Sequence, residues 1–292
     1  LIQAVIDAND NLFPARVGAG RGRAYVGHNR RQVLADGSVQ MRWRNAEKAP
    51  TSPVDPTVSV LRIDDESGQP RVILVNYSCH PTVLGPDNLQ ISGDYVAVMR
   101  DTVEKQLPGA TCLFVCGAIG DINPYFDKQP IDEKPFDAVR WTGETLGKAA
   151  LAAARRIEPA PASASSLQYT AQVHAFSNRW KPDETVPIAM GVGLLNETIG
   201  FVSVSADPFV DHQIRLRDTS DCVTTFLFAH TSTKGVPYAR YLPTIRAAVE
   251  GGYGAGYATL AEVGAGEMLM DRAVVRLLEL MGKLQPVTQT GR

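Results

Sequence analysis

Apolar positions along this chain fall into two rhythms, short β-branched runs and longer stretches at helical spacing, and they largely take turns. Val58–Ile63 and Val72–Tyr77 read as strands, and the Asp64-Asp65-Glu66-Ser67-Gly68-Gln69-Pro70 stretch between them supplies turn residues, so the pair predicts a hairpin. Tyr95–Leu107 has helical spacing and stops before Pro108-Gly109, after which Thr111–Cys116 reads as a buried strand entering a loop over Gly117–Pro124. The order there is strand, helix, strand.

Asp137–Arg156 predicts an amphipathic helix, Pro159–Ser166 a surface loop, and Leu167–Phe176 a strand by its alternation. Phe201–Ser205 reads as a strand feeding a helix over Pro208–Arg217, with Pro208 in the first turn, where its missing N–H does no harm. Thr224–Ala229 is a further strand, and Gly266–Leu284 a last helix with Met268, Val274, Val275, Leu277, Leu278 and Met281 apolar. At the start, Leu1–Phe13 reads as an amphipathic helix stopped near Pro14, followed by a Gly- and Arg-rich loop over Gly18–Arg31. Strands interleaved with helices, plus one hairpin, predict an α/β fold: a layered domain around a mixed β-sheet with flanking helices.

The 292 residues fit one large domain as well as two small ones at roughly 150 residues each. One is expected, because no internal repeat is present and the only Pro/Ala/Ser stretch is loop-sized. With 44% hydrophobic and 21% charged residues the chain can bury a sizeable core. A net charge of −2, with both signs scattered, offers no footprint for nucleic acid. The longest apolar runs, such as Val72–Val75 and Thr224–Ala229, are strand-length and far below the ~20 residues of a membrane span, so no transmembrane segment is expected. Cys79, Cys112, Cys116 and Cys222 could form two disulfides, but Cys112 and Cys116 lie on an apolar run, where thiols behave as small core hydrophobes; free thiols are expected.

Candidate chemistry collects where strands give way to loops, because a rigid sheet fixes the backbone while the loop frees the side chain. His80 follows a strand directly and Pro81 prevents the chain from continuing in the sheet; imidazole is the commonest zinc ligand. Gly117–Pro124 offers two glycines and the Asn123 amide, and Asp207 is a carboxylate at a strand-to-helix junction, a metal ligand or a helix cap. His230 follows a strand as His80 does and is a candidate to line the same pocket. His174 reads as a satisfied strand histidine and His212 as an exposed helical one. Trp141 and Trp180 are expected to pack. No H-E-x-x-H, finger-spaced Cys pair, Walker loop or G-x-S-x-G elbow is present, so spacing alone leaves the function open.

Six segments in order resemble the N-terminal catalytic domain of the neutral/alkaline, non-lysosomal ceramidases. They are Asn29-Arg30-Arg31, Asn76–Thr82, Ile91-Ser92-Gly93-Asp94-Tyr95, Gly120–Pro124, Ala206-Asp207-Pro208-Phe209, and Tyr241-Leu242-Pro243-Thr244 followed by Gly251-Gly252-Tyr253. The resemblance implies a zinc-dependent hydrolase in sphingolipid metabolism, in which a metal-activated water cleaves the amide of a ceramide-like N-acyl lipid to a sphingoid base and a fatty acid. It implies His80, Asp207 and Tyr253 as ligands of Zn2+, Arg30 as holder of the carbonyl oxygen, Asn123 as orienter of water or oxyanion, and Asp94 as the partner that fixes the His80 tautomer. It also implies a secreted or periplasmic compartment and a small-molecule or lipid amide as the substrate partner.

Three departures accompany the resemblance. The family's first zinc histidine belongs to a motif upstream of the Asn-Arg loop that no residue here matches, so either the metal site is incomplete or, as expected, the chain is a single catalytic domain over 1–292 lacking its N-terminal segment; the family's C-terminal immunoglobulin-like domain is expected to be absent as well. Asn123 stands where the family has a serine, and an amide is no nucleophile. Asp207 stands where the family has glutamate, which shortens the reach by one methylene. The alternatives are a hydrolase of another amide or ester, or a degenerate non-catalytic binding relative. The sequence leaves the oligomeric state open.

Overall fold

The computed structural model describes residues 2–161 and 167–284; Leu1 and the 162–166 part of the expected Pro/Ala/Ser loop lie outside the described residues. In chain order the elements are α1 (Ile2–Asp10), β1 (Ala15–Arg23), β2 (Gly27–Asn29), β3 (Arg31–Val33), β4 (Val39–Met41), β5 (Thr57–Asp65) and β6 (Pro70–Tyr77). Then come α2 (Asp94–Gln106), β7 (Thr111–Cys116), β8 (Ile122–Pro124), α3 (Pro135–Ala154), β9 (Ala160–Pro161), β10 (Leu167–Ser177), β11 (Thr185–Leu195) and β12 (Ile199–Val204). The rest are β13 (Asp207–Pro208), α4 (Val210–Thr219), β14 (Thr224–Phe228), β15 (Tyr241–Leu242), α5 (Ile245–Glu250) and α6 (Ala265–Leu280).

The expected mixed β-sheet is present as two principal mixed sheets, ordered β7-β6-β5-β1-β9 and β10-β11-β12-β14. The alternation of side chains along each strand explains why they stack. On β5 and β6, Val58, Val60, Ile73, Val75 and Tyr77 enter a core shared with Met99 of α2 and Leu146 of α3. Leu61, Ile63 and Leu74, one residue out of phase, meet Ile199, Phe201, Phe226 and Phe228 of the other sheet. That sheet turns Val202, Val204 and Leu227 the opposite way, onto Leu269, Met270 and Leu277 of α6. The layers therefore run helices, sheet, sheet, helices, with the inner strands buried on both faces and the edge strand β10 largely exposed.

Two parallel pairings position the site. β6 and β7 run parallel with α2 crossing between them, and β12 and β14 run parallel with α4 between them. Asn76 joins the two: its amide donates to the Val115 carbonyl beside it and to the Leu227 carbonyl of the other sheet, both at 2.9 Å. The backbone follows suit where the Ala229 N–H reaches the Cys116 carbonyl at 3.0 Å. Strand ends of both sheets thus meet at one place, where the loops they feed can share a cavity.

Several sequence expectations change here. The Gly18–Arg31 loop is instead strand over β1 and β2, because the glycines present a bare face: a Cβ on Gly18 would come 2.6 Å from Ile157 Cγ2, and one on Gly22 would come 2.9 Å from the Ala149 carbonyl at the end of α3. Pro208 lies in β13, not in a first helical turn, and α4 begins two residues later with Phe209 as its cap residue. β11 and α5 appear where no element was expected. His212, expected to be exposed, is buried with 1% of its surface accessible, since α4 packs on α6 and Gly266 opposite leaves room for its ring. All four cysteines are free. Among the described residues, no helix is long and apolar enough to cross a membrane.

Candidate active site

β6 ends at Tyr77, and His80 follows it into a loop pinned to β8. The His80 backbone N–H and its ring Nδ1 both reach the Ile122 carbonyl, at 3.0 and 2.9 Å. A carbonyl only accepts, so Nδ1 carries the proton and the neutral ring presents a lone pair at Nε2. Burial holds this imidazole below its usual range, with the Asp207 carboxylate pulling the other way. α2 fixes the segment from behind: the Tyr95 hydroxyl donates to the Cys79 carbonyl at 2.6 Å, and Asp94 accepts the Leu84 N–H at 2.8 Å and the Tyr95 N–H at 2.6 Å. The structure thus places Asp94 on the chain that follows His80, while Ile122 takes the ring proton.

Asp207 stands at the end of β12, in the β13 bridge that pairs it with Tyr241 of β15. Its Oδ2 faces His80 Nε2 at 3.6 Å, and its Oδ1 faces His230 Nε2 at 3.5 Å from the end of β14. Both separations exceed a hydrogen bond, and Oδ1 is buried without a partner. Asp207 does not cap α4. The Val210 N–H at that helix start is taken at 2.8 Å by Asp121 Oδ1, whose other oxygen accepts from the Asn29 amide at 2.7 Å. Burial pushes the Asp121 carboxyl up to about 6.

Arg30 follows β2, which pairs antiparallel with β8 so that His28 lies opposite Asn123. Its guanidinium is buried and bracketed, donating from Nη1 to Asn123 Oδ1 at 3.0 Å and from Nη2 to the Gly120 carbonyl at 2.5 Å. The Asn123 amide nitrogen in turn donates to the Trp43 carbonyl at 3.3 Å, so both ends of this amide hold the arginine's surroundings in place. Gly120 has to be glycine, since a Cβ there would come 2.8 Å from the Asp207 carbonyl. The rings of Tyr253, Trp43 and Tyr241 stand 5.1, 5.4 and 5.5 Å from the guanidinium carbon, a cation–π cage. Gly251 and Gly252, at φ values of 81° and 85°, make the turn that delivers Tyr253 there.

A cavity of about 490 Å³ opens among Arg30, His80, Asn123, Tyr241, Tyr253 and Trp43. Four of the six residues singled out from the sequence line or wall it directly (Arg30, His80, Asn123, Tyr253), Asp207 faces His80 from beside it, and Asp94 stands behind. Trp43 and Tyr241 were missed, though Tyr241 opens one of the motif segments; nothing in the sequence marks Trp43. Burial pushes the Tyr241 phenol up to about 12, so it remains a proton donor. His230 adopts a left-handed φ of 57°, uncommon outside Gly and Asn, and stacks on Tyr238 at 5.2 Å. Among the described residues, no three His, Cys, Asp or Glu side chains are gathered so as to hold a metal ion; other oxygen donors in the cavity lining are the Tyr241 and Tyr253 phenols, the Thr82 hydroxyl and the Asn123 amide.

The fold of this chain has counterparts among solved structures. A crystal structure of neutral ceramidase from Pseudomonas aeruginosa superposes with a TM-score of 0.73 over 97% of this chain, at 15% sequence identity. This chain has the neutral ceramidase fold. A second structure, of a ceramidase complexed with C2, gives a TM-score of 0.72 over 96% of the chain, also at 15% identity. The chain spans 55% and 56% of the length of those two proteins. No family model and no curated protein matches the sequence.

Proposed function

We propose that this chain carries the amide-hydrolysing centre of a ceramidase-like enzyme, using zinc and a ceramide-class N-acyl lipid as substrate. One observation carries the reading. The His80 Nε2 lone pair and an Asp207 carboxylate oxygen face each other at 3.6 Å with no proton available to join them, and the other carboxylate oxygen is buried without a partner. Two electron-rich groups held face to face fit a cation between them. His80, Asp207 and Tyr253 would hold it, a nitrogen and oxygen donor set suited to zinc. When bound, zinc lowers the pKa of its water to about 7 and polarises a carbonyl.

The rest falls to the chain's own residues. Arg30, locked by Asn123 and Gly120 and desolvated by three aromatic rings, keeps N–H groups for the oxygen that becomes negative as the amide carbon turns tetrahedral. Asn123 is the residue that aims it. Asp207 Oδ1 takes a proton from the attacking water, and His230, 3.5 Å away, is placed to pass it towards the leaving amine. Asp94 and Tyr95 keep His80 on station.

The fold likeness to two ceramidases supports the amide-lipid class. The test is metal analysis of the purified protein together with cleavage of ceramide and of short N-acyl amines, before and after chelation. Stoichiometric zinc with chelator-sensitive amide cleavage is expected; absence of both from a folded protein refutes the proposal. A second reading, a binding relative without catalysis, draws on the missing third His, Cys, Asp or Glu among the described residues. It expects amide binding without zinc or turnover.

A further inference from the structure

Away from the His80 cavity, a cleft of about 760 Å³ opens between the end of β1, the Val54–Thr57 segment, the turn after α3, and α4. Four arginines line it: Arg21, Arg23, Arg156 and Arg217. The carboxylate in the lining is Asp55, and it is fully engaged. Its oxygens accept from Arg217 Nη1 at 2.6 Å, from Gln213 Nε2 at 3.0 Å and from the Thr57 N–H at 3.1 Å, and it is 1% exposed. Arg217 is therefore neutralised, and the other three are not.

Among the described residues, Arg21, Arg23 and Arg156 form no ion pair; each is steadied by a neutral oxygen. Arg21 donates to the Val223 carbonyl at 2.5 Å, Arg156 to the Arg21 carbonyl at 3.1 Å, and Arg23 to the Tyr25 hydroxyl at 3.1 Å. Arg21, Arg23 and Arg156 are exposed, yet all three line one concavity. Arg156 is bonded to the backbone of Arg21 itself, and each anchoring bond uses one N–H and leaves the rest of the planar fork open. Guanidinium forks match phosphate oxygens in bidentate fashion, and the cleft has room for a phosphate and a group attached to it.

We propose that this cleft is a binding site for a phosphate-bearing anion, separate from the amide-hydrolysing centre. The phosphate arrives on a soluble molecule or on a lipid headgroup, and the experiment separates these sources. The full protein, its Arg23→Gln/Arg156→Gln double variant and an Arg140→Gln control from the exposed face of α3 are compared, each confirmed folded by circular dichroism. Binding of inorganic pyrophosphate is measured by calorimetry, and binding to phosphatidylcholine vesicles with and without phosphatidic acid by sedimentation.

Saturable pyrophosphate binding that the double variant weakens about tenfold or more, and the control does not, supports a soluble source. Binding only to vesicles containing phosphatidic acid, lost in the double variant, supports a headgroup. No binding in either arm, or equal binding by the double variant, overturns the proposal, whatever the outcome of the zinc and amide tests.

Discussion

Replacing Asp207 by asparagine should push the metal-free and metal-loaded proteins in opposite directions. In the metal-free protein the carboxylate is 1% exposed, meets a lone pair at 3.6 Å on one oxygen and has no hydrogen-bond partner on the other. A buried polar atom left unsatisfied costs about 1–3 kcal/mol, and more when it is charged. Asparagine removes the charge at nearly the same volume, and its amide can donate to the His80 lone pair. Metal-free Asp207→Asn should therefore be more stable than the parent by about 1–3 kcal/mol, which for a chain of this size is a rise of roughly 2–6 °C in Tm. With zinc at about a thousandfold above its dissociation constant, the parent should gain about 4 kcal/mol of ligand stabilisation, and the variant should lose most of it. Differential scanning fluorimetry at pH 8, in chelator and in zinc, reads both effects at once. A variant less stable than the parent in chelator, or one that keeps the full zinc-dependent rise, would refute the cation-seat reasoning.

Other residues give independent checks. Tyr95→Phe removes the 2.6 Å bond to the buried Cys79 carbonyl and should cost about 1–2 kcal/mol in urea unfolding; no loss would mean that α2 does not hold the His80 segment. Asn123→Ala releases the Arg30 Nη1 bond, so kcat/KM for amide cleavage should fall by roughly 10–1,000-fold, and the buried partners left unpaired should cost about 1–3 kcal/mol of stability; unchanged turnover by the folded variant would remove Arg30 from the oxyanion role. Asp121, raised to about 6 in the folded protein against an unfolded value of 3.8, binds its proton more tightly when folded. Its contribution is full below about pH 4 and is lost as pH rises through 6, so the stability difference between parent and Asp121→Asn should fall by of order 3 kcal/mol across that window. A difference that rises with pH would contradict the burial argument. His212 is lowered by burial, and protonation on unfolding should erode stability as pH falls below about 6.5, a slope that His212→Gln should flatten in acid titrations followed by circular dichroism.

The legible parts of the fold were those whose cause is local. The β5–β6 hairpin announces itself because Asp65 and Gly68 form the turn between two alternating runs, and the turn is stabilised by Asp65 accepting from Ser67 and Gln69. α2 and α3 are legible because their apolar stripes end at Pro108-Gly109 and near Pro159. β11 was not, since glycines interrupt the apolar run Met190-Gly191-Val192-Gly193-Leu194; Gly191 serves a neighbouring strand, with a Cβ there coming 2.4 Å from the Tyr169 hydroxyl. α5, with six residues, is too short to show a period. The split into two sheets was hidden for a different reason. A strand buried on both faces looks alike in either sheet, and only pairing decides which one it joins.

The candidate site divides along the same line. His80 stands out because it follows a strand that Pro81 cannot continue, and Asn123 because it carries an amide in a segment with two glycines, although that part of the segment is strand in β8. Their partners are decided by three-dimensional closure: Ile122 takes the His80 ring proton from 42 positions away, and Asp121 takes the Val210 N–H from 89 positions away, which is why Asp207 need not cap its helix. With that donor satisfied elsewhere, Asp207 keeps a carboxylate oxygen without a partner in a buried place, a costly arrangement that a folded protein tolerates where something is to be bound or moved. The cost is borne where Asn76 clamps Val115 and Leu227 together, so that the ends of β6, β7, β12 and β14 cannot separate to let water relieve it. The seam between the sheets thus does two things at once: it gathers groups from two sheets that do not pair with each other, and it keeps the charge they surround dry enough to matter.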